Sequence, residues 1–252
     1  MEGLHEPAQR IHGVILHVVN GIQDTIILCV VAHPDDEVLG FGGTASRLAA
    51  RGTPTHVCVL VGDAEARNLR PAVDDLHADV QAAAGDLGFK STTLGSFPNI
   101  ALNTVDHLDV VRFIEGAMQE TGATVIFTHH PGDLNVDHRV TGHAAEAAAR
   151  LAQRGGDVPP LRGLFHMEIP SATDWAFSGS APFDPQAYFE IGEEGLEAKL
   201  AALARYRGVM RPYPHARSAE TIRALAVLRG SESGLNLAEA FHVGFLNAPD
   251  AP

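Results

Sequence analysis

Apolar runs alternate with stretches of helical period along most of the chain. Thr25–Ala32 (TIILCVVA) is β-branched or apolar at every position, as expected of a central parallel strand covered on both faces. Ala45–Arg51 reads as helix, Thr55–Val61 (THVCVLV) as the next strand, and Val73–Leu87 as a helix stopped by Gly88. Ser91–Leu94 is a short strand. Val105–Glu120 sets Val105, Leu108, Val111 (or Phe113) and Ile114 on one helical face, with Gly122 as its stop. Ala123–Thr128 (ATVIFT) is another buried strand, followed by an Ala-rich helix over His138–Gln153. Beyond Gly155 the pattern loosens into strands at Leu161–Ile169 and Ala187–Ile191 and helices at Glu193–Tyr206 and Ser218–Leu228.

This alternation predicts an α/β fold, a mostly parallel sheet with helices on both faces and an irregular C-terminal part. The Pro-rich segments near Pro159, Pro182 and Pro212 are too short and apolar to be linkers, so residues 1–252 are expected to form a single domain. The chain has 18 Lys+Arg against 31 Asp+Glu, a formal charge of −13. That balance argues against a general nucleic-acid or anionic-membrane binder, because both reward clustered cations. Cys29 and Cys58 sit inside apolar runs and read as small core residues, compatible with a cytoplasmic location. There is no run of 18 apolar residues, and the N-terminal segment lacks the basic-then-apolar layout of a signal peptide.

The unusual chemistry lies at two strand ends, where open α/β sheets bind ligands. Ala32-His33-Pro34-Asp35-Asp36-Glu37 follows the first strand. So dense an acidic cluster is unfavourable without a cation. In a turn entering a helix, His33 and Asp36 can meet at one point while Asp35 points elsewhere, free to act as a base. His129-His130-Pro131-Gly132-Asp133-Leu134-Asn135-Val136-Asp137-His138 follows ATVIFT, with Asp137 a plausible helix cap. Together the motifs offer two imidazoles and a carboxylate, the protein ligands of a catalytic zinc site. They can meet only if their strands are near neighbours. Gly40, Gly42 and Gly43 come too late after the strand for a dinucleotide loop, and Ala45 stands where the third glycine belongs.

HPDDE after a hydrophobic strand, with DLNVDH downstream, resembles the LmbE-like (PIG-L) family of zinc-dependent N-deacetylases. Val61-Gly62-Asp63 through Arg67, Phe97-Pro98-Asn99, EIPSATDW (Glu168–Trp175), PHARS (Pro214–Ser218) and Arg229–Phe241 are similar to stretches of one branch of that family, so the likeness covers about residues 25–245. It implies a Rossmann-like fold and hydrolysis of an acetamido sugar, free or in a glycoconjugate, by attack of a zinc-bound water. It implies His33, Asp36 and His138 as ligands of zinc or another divalent metal, Asp35 as general base and acid, Asp137 as a partner that orients an imidazole or helps balance charge, and Arg67 as a substrate contact; His129 is a further candidate substrate contact. Better-known members carry His where this chain has Asn135; an Asn amide can donate to the oxyanion but brings no charge, and His129 or His130 could substitute. Asn99, Asn103 and Asp174 also depart from the family pattern, which bears on the substrate rather than the chemistry. Trp175 reads either as a sugar platform or as a core residue, and His215 and Arg217 either as cleft residues or as a solvated turn. A homo-oligomer is compatible with the sequence. A Mg²⁺- or Mn²⁺-dependent phosphoesterase and a non-catalytic sugar-binding protein are the competing readings.

Overall fold

The computed structural model describes residues 25–62, 72–177 and 181–247. Seven strands form one sheet in the order β3-β2-β1-β4-β5-β7-β6. They are β1 (Ile27–Val31), β2 (Thr55–Val59), β3 (Thr92–Leu94), β4 (Val125–His129), β5 (Gly163–Met167), β6 (Ala187–Glu190) and β7 (Ala238–Leu246). The first five are parallel, whereas β7 runs antiparallel to both β5 and β6. Among the described residues, six α-helices cover the sheet: α1 (Asp36–Ala50), α2 (Val73–Leu87), α3 (His107–Thr121), α4 (Val136–Ala148), α5 (Gly192–Arg205) and α6 (Ala219–Ser233).

Strand β1 explains its own composition. Ile27, Cys29 and Val31 pack with side chains of α1, α2 and α5 on one face, and Leu28 and Val30 with those of α3 and α4 on the other. Both faces are dry, so a polar residue at any of its five positions would be buried. On the first face Phe127 of β4 stacks on Phe41 and Phe165, with ring centroids 4.4 and 5.0 Å apart. Cys29 and Cys58 are free and buried, as expected of core residues.

Three sequence expectations need correction. Helix α1 starts at Asp36, not Ala45, and runs through Gly40, Gly42 and Gly43. Helix propensity disfavours these glycines, but packing requires two of them. A Cβ on Gly40 would lie 2.7 Å from Ile169 Cδ1, and one on Gly43 would lie 2.8 Å from Ile191 Cδ1. Second, β7 was not expected, because AEAFHVGFL mixes Glu, His and Gly into its apolar positions. It fills the slot between β5 and β6 and turns the loose C-terminal part into an antiparallel extension of the sheet. Third, the cap of α4 is Asn135, whose Oδ1 accepts the Asp137 N–H at 2.9 Å. Asp137 is thereby left inside the first turn.

The order of strands reverses between β1 and β4, which are direct neighbours with Ile27 in register with Val125. The two motifs leave the carboxyl ends of these two strands. That adjacency places them at the switch point of the sheet, where the outgoing loops diverge and open a crevice.

Candidate metal centre and cleft

After β1 the chain makes a tight turn at His33-Pro34-Asp35 and enters α1. Asp35 takes φ 105° and ψ −26°, and its carbonyl accepts the N–H groups of Val38 and Leu39 at 3.1 and 2.9 Å. The turn folds Asp36 back so that its Oδ2 accepts the His33 N–H at 3.0 Å. Asp36 and Glu37 occupy the first turn of α1, where the helix dipole favours acids. From the β4 side, α4 carries Asp137 and His138 in its own first turn.

The result is a nearly equilateral triangle of donor atoms. His33 Nδ1 lies 3.3 Å from Asp36 Oδ2 and 3.2 Å from His138 Nε2, and His138 Nε2 lies 3.2 Å from Asp36 Oδ2. Three donors placed tetrahedrally at zinc bond lengths of about 2.0–2.1 Å are separated by about 3.3–3.4 Å. The donor set and its spacing therefore fit a divalent ion of zinc's size. Each imidazole has a carboxylate on its other nitrogen: Asp137 Oδ2 lies 3.0 Å from His33 Nε2, and Asp133 Oδ2 lies 3.0 Å from His138 Nδ1. These pairings fix the rings and raise their basicity, as around metal-bound histidines.

Electrostatics point the same way. Burial pushes the Asp36 carboxyl up, but the imidazoles of His138, His33 and His129 outweigh it and hold it well below the usual range. Burial lowers the His138 imidazole, yet Asp36 and Asp133 carry it up to about 10. Against its own burial, His33 is raised by Asp137 and Asp36. Carboxylates thus surround the imidazoles and favour a positive charge at the centre.

Asp137 is held by more than His33. Its Oδ2 and Oδ1 accept the N–H groups of Ile100 and Leu102 at 2.6 and 2.9 Å. Asp133 carries a buried carboxylate that the sequence reading quoted within the motif but assigned no role. It accepts the Asn135 N–H at 2.8 Å and the Thr173 hydroxyl at 3.0 Å. Its signal was faint: one acid in a loop rich in turn residues, distinguished only by its burial in the fold.

His129 ends β4 and is turned into the protein at the base of the site. It is fully buried, its Nε2 accepts the Ala32 N–H at 2.8 Å, and its ring stacks on His138 at 3.9 Å. His129, Asp133 and His138 form a second group of three potential ligands. Their near-parallel rings, 18° apart, do not converge on one ion.

Two loops meet above Asp35. Arg217 Nη1 donates to Asp35 Oδ2 at 3.1 Å and Arg217 Nε donates to Ser171 Oγ at 2.8 Å. His215 accepts the Arg217 N–H on Nδ1, and its ring lies 5.3 Å from that of Trp175. Trp175 is half-exposed, which removes the core alternative for it. Asp35, Trp175, His215 and Arg217 are thus brought together, whereas Arg67 lies outside the described residues. No helix among the described residues is long and apolar enough to cross a membrane.

Comparison with known proteins agrees with this geometry. Residues 28–149, which hold both motifs, match the family model described as "PIG-L: GlcNAc-PI de-N-acetylase". YaiS of Escherichia coli (strain K12), named an uncharacterized deacetylase, is 28% identical over 192 residues, covering 72% of this chain and 90% of that protein. GalB, the 4-carboxy-2-hydroxymuconate hydratase of Pseudomonas putida KT2440, superposes with a TM-score of 0.72 at 19% identity, over 91% of this chain and 100% of that one. N,N'-diacetylchitobiose deacetylase of Pyrococcus horikoshii gives a TM-score of 0.66 at 16% identity, over 96% and 94%. These two structures share the fold with this chain. Residues 28–149, with the two motifs inside them, thus form a PIG-L (LmbE-like) domain.

Proposed function

We propose that this protein is a zinc-dependent N-deacetylase that cleaves the acetamide of an amino sugar or related small molecule to acetate and a free amine. The observation that carries the reading is the triangle of His33, Asp36 and His138 with an unliganded acid, Asp35, in the same turn. His33, Asp36 and His138 would hold the ion. Bound there, zinc supplies two things: a water whose pKa falls toward about 7, and polarisation of the acetamide carbonyl.

The rest is done by side chains. Asp35 accepts the proton of the attacking water and returns it to the amine nitrogen as the C–N bond breaks. That return matters because an amide anion is a very poor leaving group. Arg217 keeps the Asp35 carboxylate in place until substrate arrives. Asp137 and Asp133 hold the two imidazoles. Asn135 spends its Oδ1 on capping α4, which leaves its Nδ2 as the end that donates to the oxyanion. Trp175 and His215 offer a face to the sugar ring, and Arg67 binds substrate as the family resemblance implies.

The family description, the name of YaiS and the chitobiose deacetylase likeness support an acetylated substrate. The likeness to a hydratase is a reminder that one fold serves several reactions, so the site and not the fold must carry the assignment. The test is acetate release from N-acetylglucosamine, N,N'-diacetylchitobiose and a GlcNAc-inositol lipid analogue, before chelation, after it, and after zinc is restored. Asp35→Ala should keep the metal and lose turnover. Phosphate release from phosphoesters without acetate release, or sugar binding without any turnover, would replace this reading with one of its competitors.

A further inference from the structure

Glu37 stands beside the proposed base and a proposed ligand yet has neither role. It is 1% exposed, and its carboxyl has two partners. Oε2 accepts the backbone N–H of Asp35 at 3.0 Å, and Oε1 accepts the hydroxyl of Tyr206, a buried side chain at the carboxyl end of α5. Asp35 itself has φ 105°, a left-handed conformation that a residue with a Cβ adopts only when its surroundings over-determine it. The Asp35 carbonyl is committed to opening α1, and its carboxylate to Arg217. Its N–H is bonded to the Glu37 carboxylate in a buried part of the turn.

We infer that Tyr206 and Glu37 form a positioning relay that locks the Asp35 backbone in this conformation. Tyr206 fixes the Glu37 carboxyl, and Glu37 fixes the Asp35 peptide. The side chain of Asp35 is thereby kept on the Arg217 side of the turn, while that of Asp36, the next residue, joins the ligand triangle. A relaxed φ at Asp35 would swing its carboxylate and disturb the division of labour between two adjacent acids. Neither relay residue touches substrate. The inference rests on the reading of Asp35 as the base, and it connects the end of α5, far along the sequence, to the reacting end of the site.

The test uses Tyr206→Phe, Glu37→Gln and Glu37→Ala, with Asp35→Asn as the control. Tyr206→Phe and Glu37→Ala should lower kcat by about 10- to 100-fold, since a misplacement near 1 Å costs that much. KM and zinc stoichiometry should stay at wild-type values. Glu37→Gln keeps an oxygen for the Asp35 N–H and an amide for the Tyr206 oxygen, so it should restore most of the lost rate. Crystal structures of Glu37→Ala and Tyr206→Phe should show Asp35 leaving positive φ in the first and Glu37 turned off Asp35 in the second. If Asp35 holds its left-handed conformation in both variants, or if both turn over at the wild-type rate while Asp35→Asn is inactive, the relay is wrong. If Asp35→Asn is itself fully active, the base assignment is what fails, and the backbone conformation in the variant structures still judges the relay.

Discussion

Asp133 Oδ2 lies 3.0 Å from Nδ1 of His138, on the side of the ring opposite the ligand triangle. The carboxylate is itself pinned by Asn135 N–H and the Thr173 hydroxyl, so the segment around Thr173 reaches the proposed metal centre through one hydrogen bond and the Asp133–His138 contact. Removing such a partner from a metal-binding histidine costs about 10- to 100-fold in affinity. Asp133→Ala is expected to weaken zinc binding by that factor, read by competition with a chelator of known affinity. Wild-type affinity in the variant would show that Asp133 only braces the loop.

Lys199 and Glu239 form an ion pair at 2.7 Å that is buried between α5 and β7. Lys199 also donates to the Leu39 carbonyl at 2.7 Å, and Glu239 accepts the N–H groups of Gly43 and Thr44. The pair therefore ties the glycine-rich middle of α1 to the antiparallel strand β7. Lys199→Met leaves a buried carboxylate without its counter-charge and should destabilise the protein by about 3–5 kcal/mol. Adding Glu239→Gln should recover part of the loss. Denaturant unfolding of the three proteins checks both statements, and a single variant within ~0.5 kcal/mol of wild type would contradict the first.

His130 gives the pH dependence. Burial lowers its imidazole pKa to about 4, helped by His166 and His242 nearby. The unfolded value is about 6.5. Between these values the unfolded chain binds more protons than the folded one, so stability rises with pH through this window. The contribution is whole above about 6.5 and is lost as pH falls toward about 4. His130→Asn, which keeps an acceptor near the Gly132 N–H that Nδ1 now receives, should flatten this part of the Tm profile. A profile parallel to wild type would exclude His130 as the group responsible.

Local signals located the site but not its support. The runs Thr25–Ala32 and Ala123–Thr128 read as buried strands and contain or overlap the observed β1 and β4, because both faces are covered, and the acidic and imidazole residues stood out at their ends. The start of α1 was hidden because Gly40, Gly42 and Gly43 speak against a helix locally, and only the close approach of Met167 and Ile169 to Gly40 and of Ile191 to Gly43 explains two of them. The burial of His129 was hidden for a related reason. His138 lies in the first turn of α4, whereas His129 ends β4 and is fully buried, and strand against helix geometry is not readable from spacing alone.

By itself the sequence determined the alternation of elements and the kinds of atoms available to bind a cation, because hydrophobic periodicity and donor chemistry are local properties. The tertiary structure decided that β1 and β4 lie side by side, which brings His33 within 3.2 Å of His138 across 105 residues. It also decided which acids brace which rings, and that Arg217 and Tyr206 reach the turn around Asp35 from the far end of the chain. Those pairings depend on the order of strands and the packing of α5 over α1, which no stretch of sequence encodes on its own.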